Sequence, residues 1–98
     1  MGRFRLSPQA RQDIRDIHRY IAPHSAEMAD TVRRKLHESC GMLARNPHIG
    51  HKRDDLTSWQ DILFWPVYSY LIVYKPASKP VDILRILHGA RNLRALLR

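Results

Sequence analysis

The chain has 98 residues, with 17 Lys+Arg against 9 Asp+Glu and a formal charge of +8 at pH 7. That length suits one domain, taken as residues 1–98, and a hydrophobic content of 44% with 27% charged residues argues against a disordered chain. The longest apolar run, Tyr70-Leu71-Ile72-Val73-Tyr74, is far below the ~20 residues needed to span a bilayer, so no membrane association is expected. Met1-Gly2-Arg3-Phe4-Arg5 precedes no apolar signal segment, which sets the expected location as cytoplasmic. The lone Cys40 excludes an intramolecular disulfide and any multi-cysteine metal site. Thirteen of the seventeen cations are arginine, whose planar fork suits phosphate and carboxylate. The charge therefore points to an anionic partner, nucleic acid or an acidic protein segment, with a merely solvated basic surface as the alternative.

Taken in chain order, the alternation of Phe4 and Leu6 with Arg3 and Arg5 predicts a short strand over Arg3–Leu6. Ser7-Pro8 is a helix start, with Ser at the N-cap and Pro at the first helical position, where its missing N–H costs nothing. Ala10, Ile14, Ile17 and Ile21 then recur at helical spacing, within about 60° of one another at 100° per residue. Pro23 closes this first helix. The second opens at Ser25, carries Ala29, Val32, Leu36, Cys40 and Leu43 on one stripe, and ends at Asn46-Pro47. The two form an αα-hairpin. Gly41, inside the second helix at a cost of about 1 kcal/mol, predicts close approach of a neighbouring element. Residues Asn46–Leu56 read as a polar loop, followed by strands at Gln60–Trp65, Tyr68–Lys75 and Val81–Leu87. Pro66 interrupts the first pair, and Pro76-Ala77-Ser78-Lys79-Pro80 makes a turn-rich hairpin connection. The order β-α-α-β-β-β defines an α+β domain, a small antiparallel sheet with an N-terminal αα-hairpin on one face. His88–Arg98 reads as a short C-terminal helix with Leu93, Leu96 and Leu97 apolar.

Three segments carry a resemblance over nearly the whole chain. They are Leu6-Ser7-Pro8-Gln9-Ala10 leading into Asp13-Ile14, Ile17 and Tyr20-Ile21; Leu43-Ala44-Arg45-Asn46-Pro47-His48-Ile49-Gly50 followed by Arg53 and Asp55-Leu56; and Tyr70–Tyr74 followed by Ile83-Leu84-Arg85-Ile86-Leu87-His88-Gly89-Ala90-Arg91. Together they resemble the RelE/ParE superfamily of type II toxin–antitoxin toxins. The resemblance implies the fold just read and a cognate antitoxin, held in a hetero-oligomer. It also implies one of two targets: the messenger RNA in the ribosomal A site, cleaved by RelE-like members, or DNA gyrase, poisoned by ParE-like members. Growth arrest and plasmid maintenance are the roles that go with it. RelE-like ribonucleases often place a Tyr or His after the last strand. Here the tail Asn92–Arg98 has neither, and "His-Gly-Ala-Arg" is more ParE-like. A gyrase poison is the first expectation, a metal-independent endoribonuclease the second, and a non-toxic nucleic-acid-binding module the third.

Cleavage of RNA without a metal needs a base, an acid and cations to converge on the phosphate. The residues for that role would be Arg53, Arg85 and His88. Strand alternation puts Val81, Ile83, Arg85 and Leu87 on one face and Asp82, Leu84, Ile86 and His88 on the other. If Leu84 and Ile86 meet the helices, Arg85 emerges on the open face, to meet a partner's anions or to pair with an acidic neighbour such as Asp61 or Asp82. His88 is a general acid/base candidate or a strand-end ring bonded to the adjacent turn. Lys52 and Arg53 in the central loop, and Arg91, Arg94 and Arg98 on one side of the tail, are further contact candidates for target or antitoxin; the alternative for the tail is an ordinary helix C-terminus, where cations meet the dipole. Tyr70 and Tyr74 could stack on bases but fit sheet packing better, Trp59 and Trp65 read as packing anchors, and Met28 and Met42 fall off the buried stripe, where an antitoxin groove would form. No metal or other cofactor is expected: the six histidines show no His-x-x-His or Glu-x-x-His spacing on a helix, and His48/His51 is a weak pair.

Overall fold

A computed structural model describes residues 3–89. In chain order the elements are β1 (Phe4–Leu6), α1 (Pro8–Ile21), α2 (Ala26–Arg45), a single 3₁₀ turn (Pro47–Ile49), β2 (Leu63–Val67), β3 (Tyr70–Lys75) and β4 (Val81–His88). Both helices start where the side-chain chemistry dictates. The Ser7 hydroxyl accepts from the Ala10 amide at 2.9 Å, and that of Ser25 from the Met28 amide at 3.0 Å. Each bond satisfies one of the amides a helix N-terminus leaves open.

The four strands form one sheet in the order β1-β4-β3-β2, with the α1–α2 hairpin on one face. The α+β class and the β-α-α-β-β-β order are those read from the sequence, but the sheet is mixed: β1 joins β4 in parallel, with Phe4 opposite Val81 and Leu6 opposite Ile83. A parallel neighbour needs a long crossover between the paired strands, and the helical hairpin together with the β2–β3 hairpin supplies it. Pro66 lies inside β2 rather than ending it. The Phe64 amide and carbonyl pair outward with His51, so by alternation the Pro66 nitrogen also faces the outer edge, where no ladder bond is lost. The turn between β2 and β3 is only Tyr68-Ser69, and Tyr68 adopts φ 54°. Tight hairpins favour positive φ at the first turn residue, usually met by glycine. A bulky side chain there costs about 1–3 kcal/mol.

Two apolar clusters flank the sheet. On the helix side Ala10, Ile14, Val32, Leu36, Cys40 and Leu43 pack against Ile72, Tyr74, Val81, Ile83 and Ile86. On the far side Ile62, Phe64, Val73 and Leu87 pack together, joined by Leu56, Leu71 and Leu84, so that face is partly covered by the segment leading into β2. Met42 packs against the helix-side core, as does Trp65, whose indole also stacks on the His51 ring at 5.8 Å. Trp59, expected as an anchor, is 43% exposed.

Tyr74 is fully buried and acts as a tether. Its hydroxyl donates to the Pro47 carbonyl at 2.7 Å and accepts from the Gly50 amide at 3.0 Å, which pins the post-helical loop to β3. A Cβ on Gly50 would collide with the Tyr74 hydroxyl, so this is the glycine required by close approach. Gly41 is not: a Cβ there would meet only the tip of Arg45, at an ordinary 3.6 Å.

Leu36 has no exposed surface and sits at the centre of the helix stripe. Leu36→Ala should cost about 2–5 kcal/mol, which lowers the melting midpoint by roughly 10–25 °C for a chain of this size; a calorimetric scan reads it. Burial pushes the Cys40 thiol up to about 12, so almost no thiolate exists at pH 8. Its reaction with a thiol-specific disulfide reagent should therefore track global unfolding, slow in buffer and fast in denaturant.

Candidate functional site

The bulge in β4 decides where the site residues point. Val73 pairs with Arg85 but the next β3 residue, Tyr74, pairs with Ile83, which leaves Leu84 as an extra residue. An inserted residue shifts the alternation by one. Ile83 and Ile86 therefore both join the helix-side core, while Leu84 and Leu87 lie on the far side. Strict alternation, with Arg85 emerging on an open face, does not hold.

Arg85 instead reaches α1. Its Nε and Nη2 donate to the two Asp13 carboxylate oxygens at 2.8 and 3.0 Å, a bidentate pair. The partner is neither Asp61, which faces Lys75 at 3.6 Å, nor Asp82, which accepts from Arg5 at 3.0 Å. Asp13 also accepts from the Ile86 amide at 2.9 Å. The β1–β4 pairing ends at Leu6, so α1 completes that edge of β4: the Ser7 amide donates to the Ile83 carbonyl, the Ser7 hydroxyl to the Leu84 carbonyl, and Asp13 takes the Ile86 amide. The Asp13 hydrogen bonds hold the Arg85 guanidinium above its usual value, against a smaller opposing effect of burial.

Beside this pair lies a groove of about 420 Å³ between α1 and the end of β4, lined by Ile17, Ile86, Leu87 and the buried Tyr70, with the exposed Tyr20 on its rim. His88 lines it too, edge-on to Tyr70 with ring centroids 5.2 Å apart. Burial raises the Tyr70 hydroxyl above its normal value, so it stays neutral near pH 7. Asp16, on the rim, accepts from Gln12 at 2.8 Å. Gly89 closes the end of β4: its amide donates to the Ser69 carbonyl at 2.7 Å, and a Cβ there would crowd that oxygen at 3.1 Å.

The structure thus brings Arg85 and His88 to one groove and leaves Arg53 elsewhere. In the central loop Arg53 forms its own bidentate pair with Asp55, at 2.9 and 2.8 Å, and Lys52 donates to Gln60 at 3.3 Å. Arg91, Arg94 and Arg98 lie outside the described residues. Asp13, Asp16 and Tyr20 also line the groove; the sequence offered none of them as a candidate site residue, Asp13 and Tyr20 entering only within the resembling segments. A signal for Asp13 existed: it sits about 40° from Ile17 on the helical wheel, a carboxylate at the edge of the apolar stripe in a chain with a mid-strand arginine to satisfy. Among the described residues no group of three His, Cys, Asp or Glu side chains could hold a metal ion, and no helix is long and apolar enough to cross a membrane.

Asp13→Ala strips Arg85 and the Ile86 amide of their acceptor while Arg85 stays about one-third exposed. A loss of about 2–4 kcal/mol should follow, as for a broken, largely desolvated pair. Arg85→Ala should cost less, because Asp13 keeps the Ile86 amide. Denaturant titration of the two variants checks the order.

A family model described as "ParE toxin of type II toxin-antitoxin system, parDE" matches residues 4–93. No curated protein matches the sequence. Among solved structures, one titled "Chromosomal ParDE TA system from P. aeruginosa" superposes with a TM-score of 0.72 at 18% identity, over 90% of this chain and 96% of that one. At that identity the likeness is one of fold, whereas the family model extends over nearly all of the sequence. The chain belongs to the ParE toxin family of type II toxin–antitoxin systems.

Proposed function

We propose that this toxin arrests growth by binding DNA gyrase, and that a cognate antitoxin neutralises it in a hetero-oligomeric complex in the cytoplasm. The observation that carries the choice of target is the use made of Arg85. An RNA-cleaving centre needs cations free to meet a phosphorane, and Arg85, which lines the same groove as His88, is committed to both oxygens of Asp13. Arg53, the second cation that chemistry would call on, is committed to Asp55 in a separate loop. What the groove offers instead is apolar lining and one exposed tyrosine beside compensated charges, a surface suited to a protein segment. Tyr20, 74% exposed on its rim, is the kind of amphipathic anchor that interfaces favour.

Purified toxin added to gyrase and relaxed plasmid should inhibit supercoiling and trap the cleaved complex. Equimolar antitoxin, encoded by the neighbouring reading frame and co-purifying with the toxin, should restore supercoiling. Full supercoiling activity in the presence of toxin, together with codon-phased cuts in translated messages after induction, would transfer the assignment to a ribosome-dependent ribonuclease.

A further inference from the structure

The fourteen cations within residues 3–89 are not distributed evenly between paired and unpaired. Arg5, Arg19, Arg33, Arg53, Lys75 and Arg85 each face a carboxylate. Arg15, Arg34 and Lys52 donate to Gln12, Thr31 and Gln60. Among the described residues that leaves Arg3, Arg11, Lys35, Arg45 and Lys79 with no side-chain partner. Three of these five, Arg3, Arg45 and Lys79, line one open groove of about 650 Å³.

Three separate parts of the fold deliver them: the residue before β1, the last turn of α2 and the β3–β4 turn. Pro47, Pro76 and Pro80 frame the groove, and among the described residues no acidic side chain lines it. Placing Arg45 at a helix C-terminus has a local rationale, since a cation there meets the carbonyl end of the helix dipole. That does nothing for Arg3 or Lys79. Like charges brought together without a counter-charge repel one another, so the arrangement is relieved by an anion that spans all three. Among the described residues the walls hold no aromatic ring on which an unpaired base could stack, which disfavours single strands. Cations against a rigid, proline-framed wall match regularly spaced backbone phosphates.

We infer that this groove is a sequence-independent contact for the phosphate backbone of duplex DNA. It lies at the Val81 end of β4, whereas the tyrosine-rimmed groove lies at the His88 end, about 23 Å away at 3.3 Å per strand residue. A protein partner seated on one leaves the other accessible. The inference stands on the charge distribution and does not depend on gyrase being the target.

The test is fluorescence anisotropy of the full chain with a short labelled duplex of arbitrary sequence, over a range of salt concentrations. Each phosphate contact contributes about 0.9 to the slope of log affinity against log salt. The triple variant Arg3→Gln/Arg45→Gln/Lys79→Gln should lower that slope by about 2–3, and Lys79→Gln alone by about 1. A charge-matched triple on the helices, Arg11→Gln/Arg34→Gln/Lys35→Gln, should leave it unchanged. Circular dichroism melts establish that the variants fold, which the exposure of all six positions favours; Lys79→Gln carries the test if the triple does not. Equal losses from the two triples would overturn the inference, as would absence of duplex binding by the unmodified chain. Tighter binding of polyglutamate, or of duplex RNA, than of duplex DNA through the same three residues would overturn it in favour of that ligand.

Discussion

One carboxylate holds the two halves of this protein in register. Asp13 projects from the middle of α1 and receives three hydrogen bonds from β4, two from the Arg85 guanidinium and one from the Ile86 amide. β1 is only three residues long and stops at Leu6, so the second half of β4 would otherwise present unpaired backbone on that side. Ser7 and Asp13 take up that backbone in succession, the first turn of a helix continuing the work of a strand. Unmet backbone groups at a partly buried edge cost about 1–3 kcal/mol each, a large fraction of the ~5–15 kcal/mol that stabilises a domain. The bulge at Leu84 belongs to the same arrangement, because it brings Ile86 under the helices while Arg85 reaches Asp13.

That constraint shapes function by removing Arg85 from the set of available cations. A strongly basic protein invites the reading that its arginines all serve an anionic ligand, yet among the described residues most arginines are occupied internally. Those left over concentrate at the opposite end of β4, around a proline-framed groove. The groove near His88 has compensated charge and the exposed Tyr20 on its rim, and the one near Val81 has, among the described residues, uncompensated charge and no aromatic ring. The two surfaces thus differ sharply in the chemistry they offer.

Periodicity alone placed most of the elements. The serine caps, the Ile14–Ile17–Ile21 spacing and the stripe through Leu36 and Cys40 define the helical hairpin without reference to anything distant in sequence, because capping and amphipathicity are local. The site was less legible, for a physical reason. A β-bulge leaves no mark in a run such as Ile83-Leu84-Arg85-Ile86-Leu87, where apolar residues stand on both sides of the irregularity, so the face taken by Arg85 could not be read from alternation. Its carboxylate partner lies 72 residues away on another element, beyond the reach of spacing arguments. The parallel β1–β4 pairing and the position of Pro66 inside β2 were hidden in the same way: both follow from which strands lie at the edges, a property of the whole sheet. Family resemblance did what local physics could not, since it reached a toxin of this kind from segments scattered along the chain.

Both borders of the sheet are defended against self-association. On the outer side His51 occupies the Phe64 amide and carbonyl at 2.8 Å each, and one step further Pro66 presents no donor. On the other, β1 offers a template three residues long, between Arg3 and Ser7. A second copy laid alongside either border would find too few ladder bonds to nucleate a growing fibril. These borders discourage copies of the toxin from polymerising through their strands.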